Sequence, residues 1–208
     1  MNILIADDHE LVRAGLIRII VDEFPTAIIK EAGNGKDAEK LGRTGKWDII
    51  ILDMAMPEKS GLEVLKQLRA EAIKTPILLF SIHPENQYAI RVLKAGGNGY
   101  VSKDCPAAEF ITILKTIIGG RKYISASVAE KLASKFSDDA SKEDHELISD
   151  RELQVLKFIA SGMAVSEIAN QLGLSAATIS TYRHRLLEKM HLKNNAELTH
   201  YAINNHLA

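Results

Sequence analysis

Four short apolar runs in the first half of the chain each end in a polar residue with useful chemistry. Ile3-Leu4-Ile5-Ala6 leads into Asp7-Asp8, Ile49-Ile50-Ile51-Leu52 into Asp53, Ile77-Leu78-Leu79-Phe80 into Ser81, and Gly99-Tyr100-Val101-Ser102 into Lys103. None of the four alternates apolar with polar residues, which predicts strands buried on both faces of a parallel sheet. A further strand is expected over Ala27–Lys30. Between the strands the spacing becomes helical: Leu11, Val12, Leu16, Ile19 and Ile20 line one face of a helix over 11–21. Similar patterns cover Lys36–Leu41, Leu62–Arg69, Gln87–Leu93 and Ala107–Ile118. Strands alternating with helices predict a doubly wound α/β domain with a five-stranded parallel sheet of flavodoxin-like form, spanning residues 1–120 and stopping at Gly119-Gly120.

The pattern then weakens. Residues 121–146 hold one short amphipathic stretch, Val128–Phe136, followed by the polar run Ser137-Asp138-Asp139-Ala140-Ser141-Lys142-Glu143-Asp144, and together they read as a linker. From residue 147 to 208 only helical periods occur. Ser149 and Glu152 form a capping box that opens a helix through Leu153, Val155, Leu156 and Ile159, stopping at Gly162. A short helix over Val165–Leu172 stops at Gly173, Ser175 caps a longer one to Met190, and Asn194 with Glu197 opens the last, Ala196–Asn204.

Composition narrows the class. The 26 basic and 27 acidic residues of this 208-residue chain nearly cancel, so bulk charge names no partner. A single cysteine, Cys105, excludes an internal disulfide and fits a reducing cytoplasm. No apolar run approaches the ~18 to 20 residues of a membrane helix, and the first strand starts too early for an export signal. The expectation is a soluble cytoplasmic protein with no membrane contact.

Ligands of open parallel sheets bind beyond the carboxyl ends of the strands. The expected site there gathers Asp7, Asp8, Asp53, Ser81 and Lys103. Asp53 ends a central strand and is the candidate phosphoacceptor, a known role for a nucleophilic carboxylate. An anionic donor and an anionic acceptor need a divalent cation, and Mg²⁺ suits a carboxylate pocket of Asp7, Asp8 and Asp53, with the backbone carbonyl of Met54 as a further ligand. Lys103 is placed to pair with phosphoryl oxygens, and Ser81 to donate a hydrogen bond to the new phosphate.

These residues, with Met56-Pro57, Gly61 and Tyr100, resemble the signature of a response-regulator receiver domain over about residues 1–120. The resemblance implies phosphorylation of Asp53 by a sensor histidine kinase and a switch pair of Ser81 and Tyr100. Ile82 follows the switch hydroxyl where small residues are more frequent. Phosphatases and mutases of the haloacid-dehalogenase type share sheet and Mg²⁺ chemistry, but need a second aspartate two residues after the nucleophile. That position is Ala55, so multiple-turnover chemistry is not expected.

In the helical segment, six basic and six acidic residues follow from His145 onward, so local placement matters more than net charge. Arg183, Arg185, Lys189 and Lys193 cluster around Glu188, and such clusters neutralise DNA phosphates. At about 100° per residue, Ile179, Leu186 and Met190 form a buried stripe, and Ser180, Thr181, His184 and Arg185 face outward. A short helix, a turn at Gly173 and a longer polar-faced helix fit a helix-turn-helix; the pattern alone equally fits an antiparallel helix pair, or a switch that binds a protein. Residues 147–198, with Arg151-Glu152, Leu156, Gly162, Glu167-Ile168-Ala169, Leu172, Ser175, Thr178-Ile179, Lys189 and Glu197-Leu198, are similar to the LuxR-type DNA-binding domain. The whole chain thus resembles a NarL/FixJ-type response regulator. This implies contacts with double-stranded DNA through Thr178, Ser180, Thr181, Arg183, His184, Arg185 and Lys189. It also implies a homodimer, when phosphorylated or DNA-bound, through Leu198, Tyr201, Ala202 and by spacing Ile203, although that stripe equally fits packing against its own domain.

Overall fold

The structure is a computed structural model that describes residues 1–82, 85–137, 148–205 and 207. It divides into two compact units, Met1–Asp138 and Asp139–Ala208. In the first, strands β1 (Asn2–Ala6), β2 (Ile28–Ala32), β3 (Ile49–Asp53), β4 (Ile77–Ser81) and β5 (Gly99–Ser102) form one parallel sheet in the order β2-β1-β3-β4-β5. This is the expected doubly wound arrangement, and it explains the four uninterrupted runs. Strands β1, β3, β4 and β5 are buried almost throughout, while β2 at the sheet edge exposes most of its residues. That edge position leaves β2 with the weakest apolar pattern of the five, and the strand lies over Ile28–Ala32, later than the expected Ala27–Lys30.

Helices α1 (Glu10–Glu23), α2 (Gly35–Thr44), α3 (Gly61–Ala70), α4 (Glu85–Lys94) and α5 (Ala107–Ile118) fill the crossovers. Ile3, Ile5, Ile49, Ile51, Leu78, Phe80 and Val101 meet Leu16 and Ile20 of α1 and Phe110, Ile113, Leu114 and Ile117 of α5 in one core. Each fully buried Leu, Ile or Phe there contributes about 1.5–3 kcal/mol. Helix α6 (Ala126–Ser137) forms over the expected short amphipathic stretch, buries Val128 and packs against α4, within the first unit. The polar run that follows falls, from Asp138 onward, outside the described residues.

The second unit holds α7 (Asp150–Ala160), α8 (Val165–Leu172), α9 (Ala176–Lys189) and α10 (Asn195–Asn204), with α7 in contact with the other three. Among the described residues no helix is long and apolar enough to cross a membrane. Helices α7, α8 and α9 end alike. In each, the residue at the turn and the one after it donate backbone hydrogen bonds back into the last turn: Gly162 to Ile159 and Met163 to Phe158, Gly173 to Asn170 and Leu174 to Ala169, His191 to Glu188 and Leu192 to Leu187. This paired closure needs a left-handed residue at the turn. Gly162 (φ 85°) and Gly173 (φ 64°) supply it without a side chain, but the third turn uses His191 at φ 54°.

A Cβ in that conformation costs roughly 1 kcal/mol relative to glycine. His191→Gly should therefore raise the unfolding free energy of the helical unit by about 1 kcal/mol, whereas His191→Val should lower it. Urea denaturation of both variants checks the pair.

Candidate functional site

The sheet order sets β1 beside β3, β3 beside β4 and β4 beside β5, so Asp7, Asp53, Ser81 and Lys103 leave adjacent strands at one end of the sheet. Asp7 and Asp53 are buried, with Asp53 only 3% exposed, and Asp8 lies at the rim. Lys103 reaches across both buried carboxylates: its Nζ is 2.6 Å from Asp7 Oδ2 and 3.1 Å from Asp53 Oδ1. The first contact is an ion pair more than a directed hydrogen bond, since Asp7 Oδ2 lacks a well-angled donor among the described residues.

Burial pushes the Asp53 carboxyl upward, Lys103 pulls it down, and Asp7 and Asp8 push it up again, leaving it at about 6. Burial alone would lower the Lys103 ammonium, but the two carboxylates outweigh it and raise it. The cluster therefore holds more negative charge than one ammonium compensates. Hard carboxylate oxygens, one of them buried without a well-angled donor, are the donor set that suits Mg²⁺.

The loop after β3 is held by close backbone approaches. Gly61 donates its N–H to Met54 O at 3.1 Å, and a Cβ on Gly61 would sit 2.1 Å from the carbonyl oxygen of Asp53. A Cβ on Gly35 would sit 1.8 Å from Lys59 O. Ser60 and Glu63 then start α3 with a capping box. The Met54 carbonyl, expected to face a cation, already accepts from Gly61, which ties it to the start of α3.

Ser81 and Tyr100 are both buried and their hydroxyls share a hydrogen bond. Burial raises the Tyr100 phenol well above its ordinary range, with Ser81 opposing and Asp53 and Glu85 adding to the rise. Lys103 donates its backbone N–H to Ser81 O at 2.8 Å, so the lysine that meets the buried carboxylates is tied to the residue that carries the buried hydroxyl.

Two site residues escape the sequence pattern. Arg13 donates through Nη1 to Asp7 O and through Nε to Glu31, each at 2.8 Å, bracing the end of β1. His9 turns toward the acidic pair, with Nδ1 2.8 Å from Asp8 Oδ1. It directly follows Asp7-Asp8 in the chain, but a histidine at a helix start reads first as a surface residue.

In the second unit, Ser149 and Glu152 form the expected capping box, and α8 and α9 make the helix–turn–helix pair. Ile179, Leu186 and Met190 of α9 are buried, while Ser180, Thr181, His184, Arg185 and Glu188 are exposed on the opposite face. Thr178 is committed to the helix start, its hydroxyl 2.8 Å from that of Ser175. Arg183 bonds the side chain of Asn195 through Nε. His184 pairs with Glu188 at 3.6 Å, and Arg185 has no ion pair among the described residues.

Two sets of expected contact residues have partners inside their own unit. Lys189 does not stand free for phosphate: Nζ contacts Glu152 at 2.7 and 3.0 Å, tying α9 to the start of α7. Burial pushes the Glu152 carboxyl up, but Lys189 and Ser149 outweigh it and hold it below its ordinary value. Leu198 and Ala202 are 0% exposed, so they belong to the core of their own unit, where α10 packs on α7. A period that would serve a dimer surface serves this internal contact instead. Tyr201 is half-buried, and Ile203, 58% exposed, is the large apolar residue that α10 offers to solvent.

Comparison with known proteins agrees with both units. Residues 3–115 match the model of the response regulator receiver domain, and residues 146–202 that of the luxR family of bacterial regulatory proteins. The chain is 36% identical to the response regulator UvrY of Escherichia coli K12 over 98% of its own length and 94% of the relative's. It is 31% identical to the response regulator GacA of Pseudomonas aeruginosa over 98% and 95% of the two lengths. Among solved structures, RcsB in complex with DNA aligns with a TM-score of 0.57 and 25% identity, covering 97% of this chain and 96% of that one.

Two outcomes follow from the electrostatics. The folded chain binds the Asp53 proton more tightly than the unfolded chain, because folding raises this carboxyl from 3.8 to about 6. Ionised Asp53 therefore costs stability at neutral pH, about 3 kcal/mol, and this cost fades as pH falls through 6 toward 3.8. Asp53→Asn should stabilise the metal-free protein at neutral pH, and the gain should shrink in mildly acidic buffer; chemical denaturation across that range measures it. Separately, Lys189→Ala strands the buried Glu152 carboxylate and should cost about 1–3 kcal/mol. Differential scanning calorimetry would show a lower transition for the helical unit, and an unchanged one would refute the structural role of Lys189.

Proposed function

The chain belongs to the response regulators that join a receiver domain to a LuxR-type domain, and we propose that phosphorylation of Asp53 switches how it binds DNA. The carrying observation is the Lys103 ammonium lying 2.6 Å from Asp7 Oδ2 and 3.1 Å from Asp53 Oδ1. This arrangement presents Asp53 as a nucleophile beside a cation and an acidic pair. Asp7, Asp8 and Asp53 would hold Mg²⁺, which when bound supplies positive charge to the oxygens of the transferring phosphoryl group. An Asp53 carboxylate oxygen attacks phosphorus on the phosphohistidine of a sensor kinase. The new P–O bond forms as the P–N bond breaks, and the freed imidazole takes a proton from solvent. Lys103 then exchanges carboxylate contacts for phosphoryl oxygens, where a point charge serves well.

With Ala55 two residues beyond the nucleophile, no carboxylate stands there to activate water or protonate a leaving group. The acyl phosphate therefore acts as a stored signal, and no multiple-turnover substrate chemistry is proposed. For Ser81 to donate to the phosphate it must turn its single O–H away from Tyr100. That exchange makes the pair a two-state element biased by one added charge.

In the second unit we assign DNA contact to the outward face of α9. Ser180, Thr181 and His184 near the helix start are the candidates for base edges, and Arg185 for phosphate. The likeness to a regulator solved on DNA supports this reading. Paired copies on a paired site are the proposed binding state, with the kinase and the DNA both encountered in the cytoplasm.

Incubation with a small phosphodonor and Mg²⁺ should add one phosphoryl group by intact-mass measurement, and none to Asp53→Asn. Full labelling of that variant would refute the assignment. Ser81→Ala should still be labelled yet lose most of the phosphorylation-induced gain in DNA affinity.

Along α9, Arg185→Ala should weaken all duplexes alike and flatten the salt dependence by about one unit. His184→Ala or Thr181→Ala should change operator preference by roughly 1–3 kcal/mol. Binding isotherms on specific and scrambled duplexes over a salt series separate the two roles.

A further inference from the structure

Residues 54–60 join β3 to α3, directly after Asp53. The inner end of this loop is held where Gly61 donates its N–H to Met54 O. Its outer end lies on the start of α2. Gly35 donates its N–H to Pro57 O at 3.4 Å, and a Cβ on Gly35 would meet Lys59 O at 1.8 Å. Between these points Glu58 takes a left-handed conformation, φ 64°, without being glycine. Such a residue costs about 1–3 kcal/mol and persists only where its surroundings hold it.

The side chain that holds this turn comes from α2. Glu39 lies on the inward face of that helix with Gly35, Ala38 and Gly42, and is only 8% exposed. A buried carboxylate is costly unless it is paired. Arg43, one turn on, pairs with Glu39 Oε1 and also with Glu71 at the end of α3. Lys59 donates through Nζ to the other oxygen, Glu39 Oε2. A further ion pair between helix and loop, Lys36 with Glu58 at 4.0 Å, is solvent-exposed and adds little.

We propose that Glu39 and Lys59 are positioning residues for phosphoryl transfer: their contact keeps the strained turn at Glu58 closed and so fixes the loop that begins at Asp53. This rests on the reading of Asp53 as the phosphoacceptor and adds two residues that act through the loop. With the pair broken, the turn relaxes and Asp53, at the inner end, samples more than one position. Misplacing a reacting group by about 1 Å can cost about 100-fold in rate.

The test measures the rate at which a small phosphodonor labels Asp53 at saturating Mg²⁺, by intact mass on the full chain. The proteins compared are wild type, Glu39→Gln, Lys59→Met, the double variant and Lys59→Arg. Each is assayed well below its own unfolding midpoint, so that lost stability does not register as lost rate. Neither single change strands a buried charge: Glu39 keeps Arg43 in Lys59→Met, and Arg43 keeps Glu71 in Glu39→Gln. The expected result is labelling about tenfold slower in each single variant. The double variant should be no slower than either single one, and Lys59→Arg should stay near wild type. Wild-type rates in all variants, with only the midpoints moved, would make the pair a stabilising contact and overturn the proposal. Losses that multiply in the double variant, or a loss in Lys59→Arg equal to that in Lys59→Met, would overturn it as well. A wild type that takes no label would overturn the phosphoacceptor reading beneath it.

Discussion

The contact on which the first unit depends is the Lys103 ammonium between two buried carboxylates, 2.6 Å from Asp7 and 3.1 Å from Asp53. A folded core does not ordinarily tolerate such a concentration of like charge. Here the sheet topology enforces it, because the neighbouring strands β1 and β3 end at the same level. One ammonium offsets part of that charge, and burial together with the neighbouring carboxylates still leaves the Asp53 carboxyl raised. The pocket is under-compensated by construction, and an imbalance of that sign favours the approach of a cation.

The same lysine joins the acidic cluster to the pair of buried hydroxyls. Its side chain faces the carboxylates while its backbone N–H holds the carbonyl of Ser81. Ser81 in turn shares a hydrogen bond with Tyr100 on the next strand. Under the proposed function, a change of partner at Lys103 Nζ would act on a residue whose backbone is bonded to that of Ser81. Helix α4, which begins shortly after β4, packs against both β5 and α6, so the elements next in line are contiguous.

Much of this is legible in the amino-acid order. Apolar runs ending in Asp7, Asp53, Ser81 and Lys103 locate the strands, their parallel arrangement and the site at their ends, because burial on both faces leaves a clear pattern. The capping box at Ser149 and the N-cap at Asn194 locate helix starts for the same reason, being local. The errors come where a residue's partner lies far along the chain. Lys189 reads as a surface cation until Glu152 is folded against it, and Leu198 and Ala202 read as an exposed stripe until α7 covers them. Periodicity tells which face is apolar, not which surface covers it. His9 is hidden for a different reason, since its partner is adjacent but the orientation of its ring is a tertiary fact.

The glycines around the loop after β3 carry a consequence for how this site tolerates change. At Gly61 and Gly35 any side chain would begin about where a neighbouring carbonyl oxygen already is, at 2.1 and 1.8 Å. The obstacle is backbone, so no choice of rotamer relieves it. Asp8, by contrast, sits at the rim with room around it and could be exchanged without disturbing the fold. The positions of this site with the least freedom to vary are therefore two that bear no functional group, and a lineage exploring new chemistry here would keep its glycines longer than its acids.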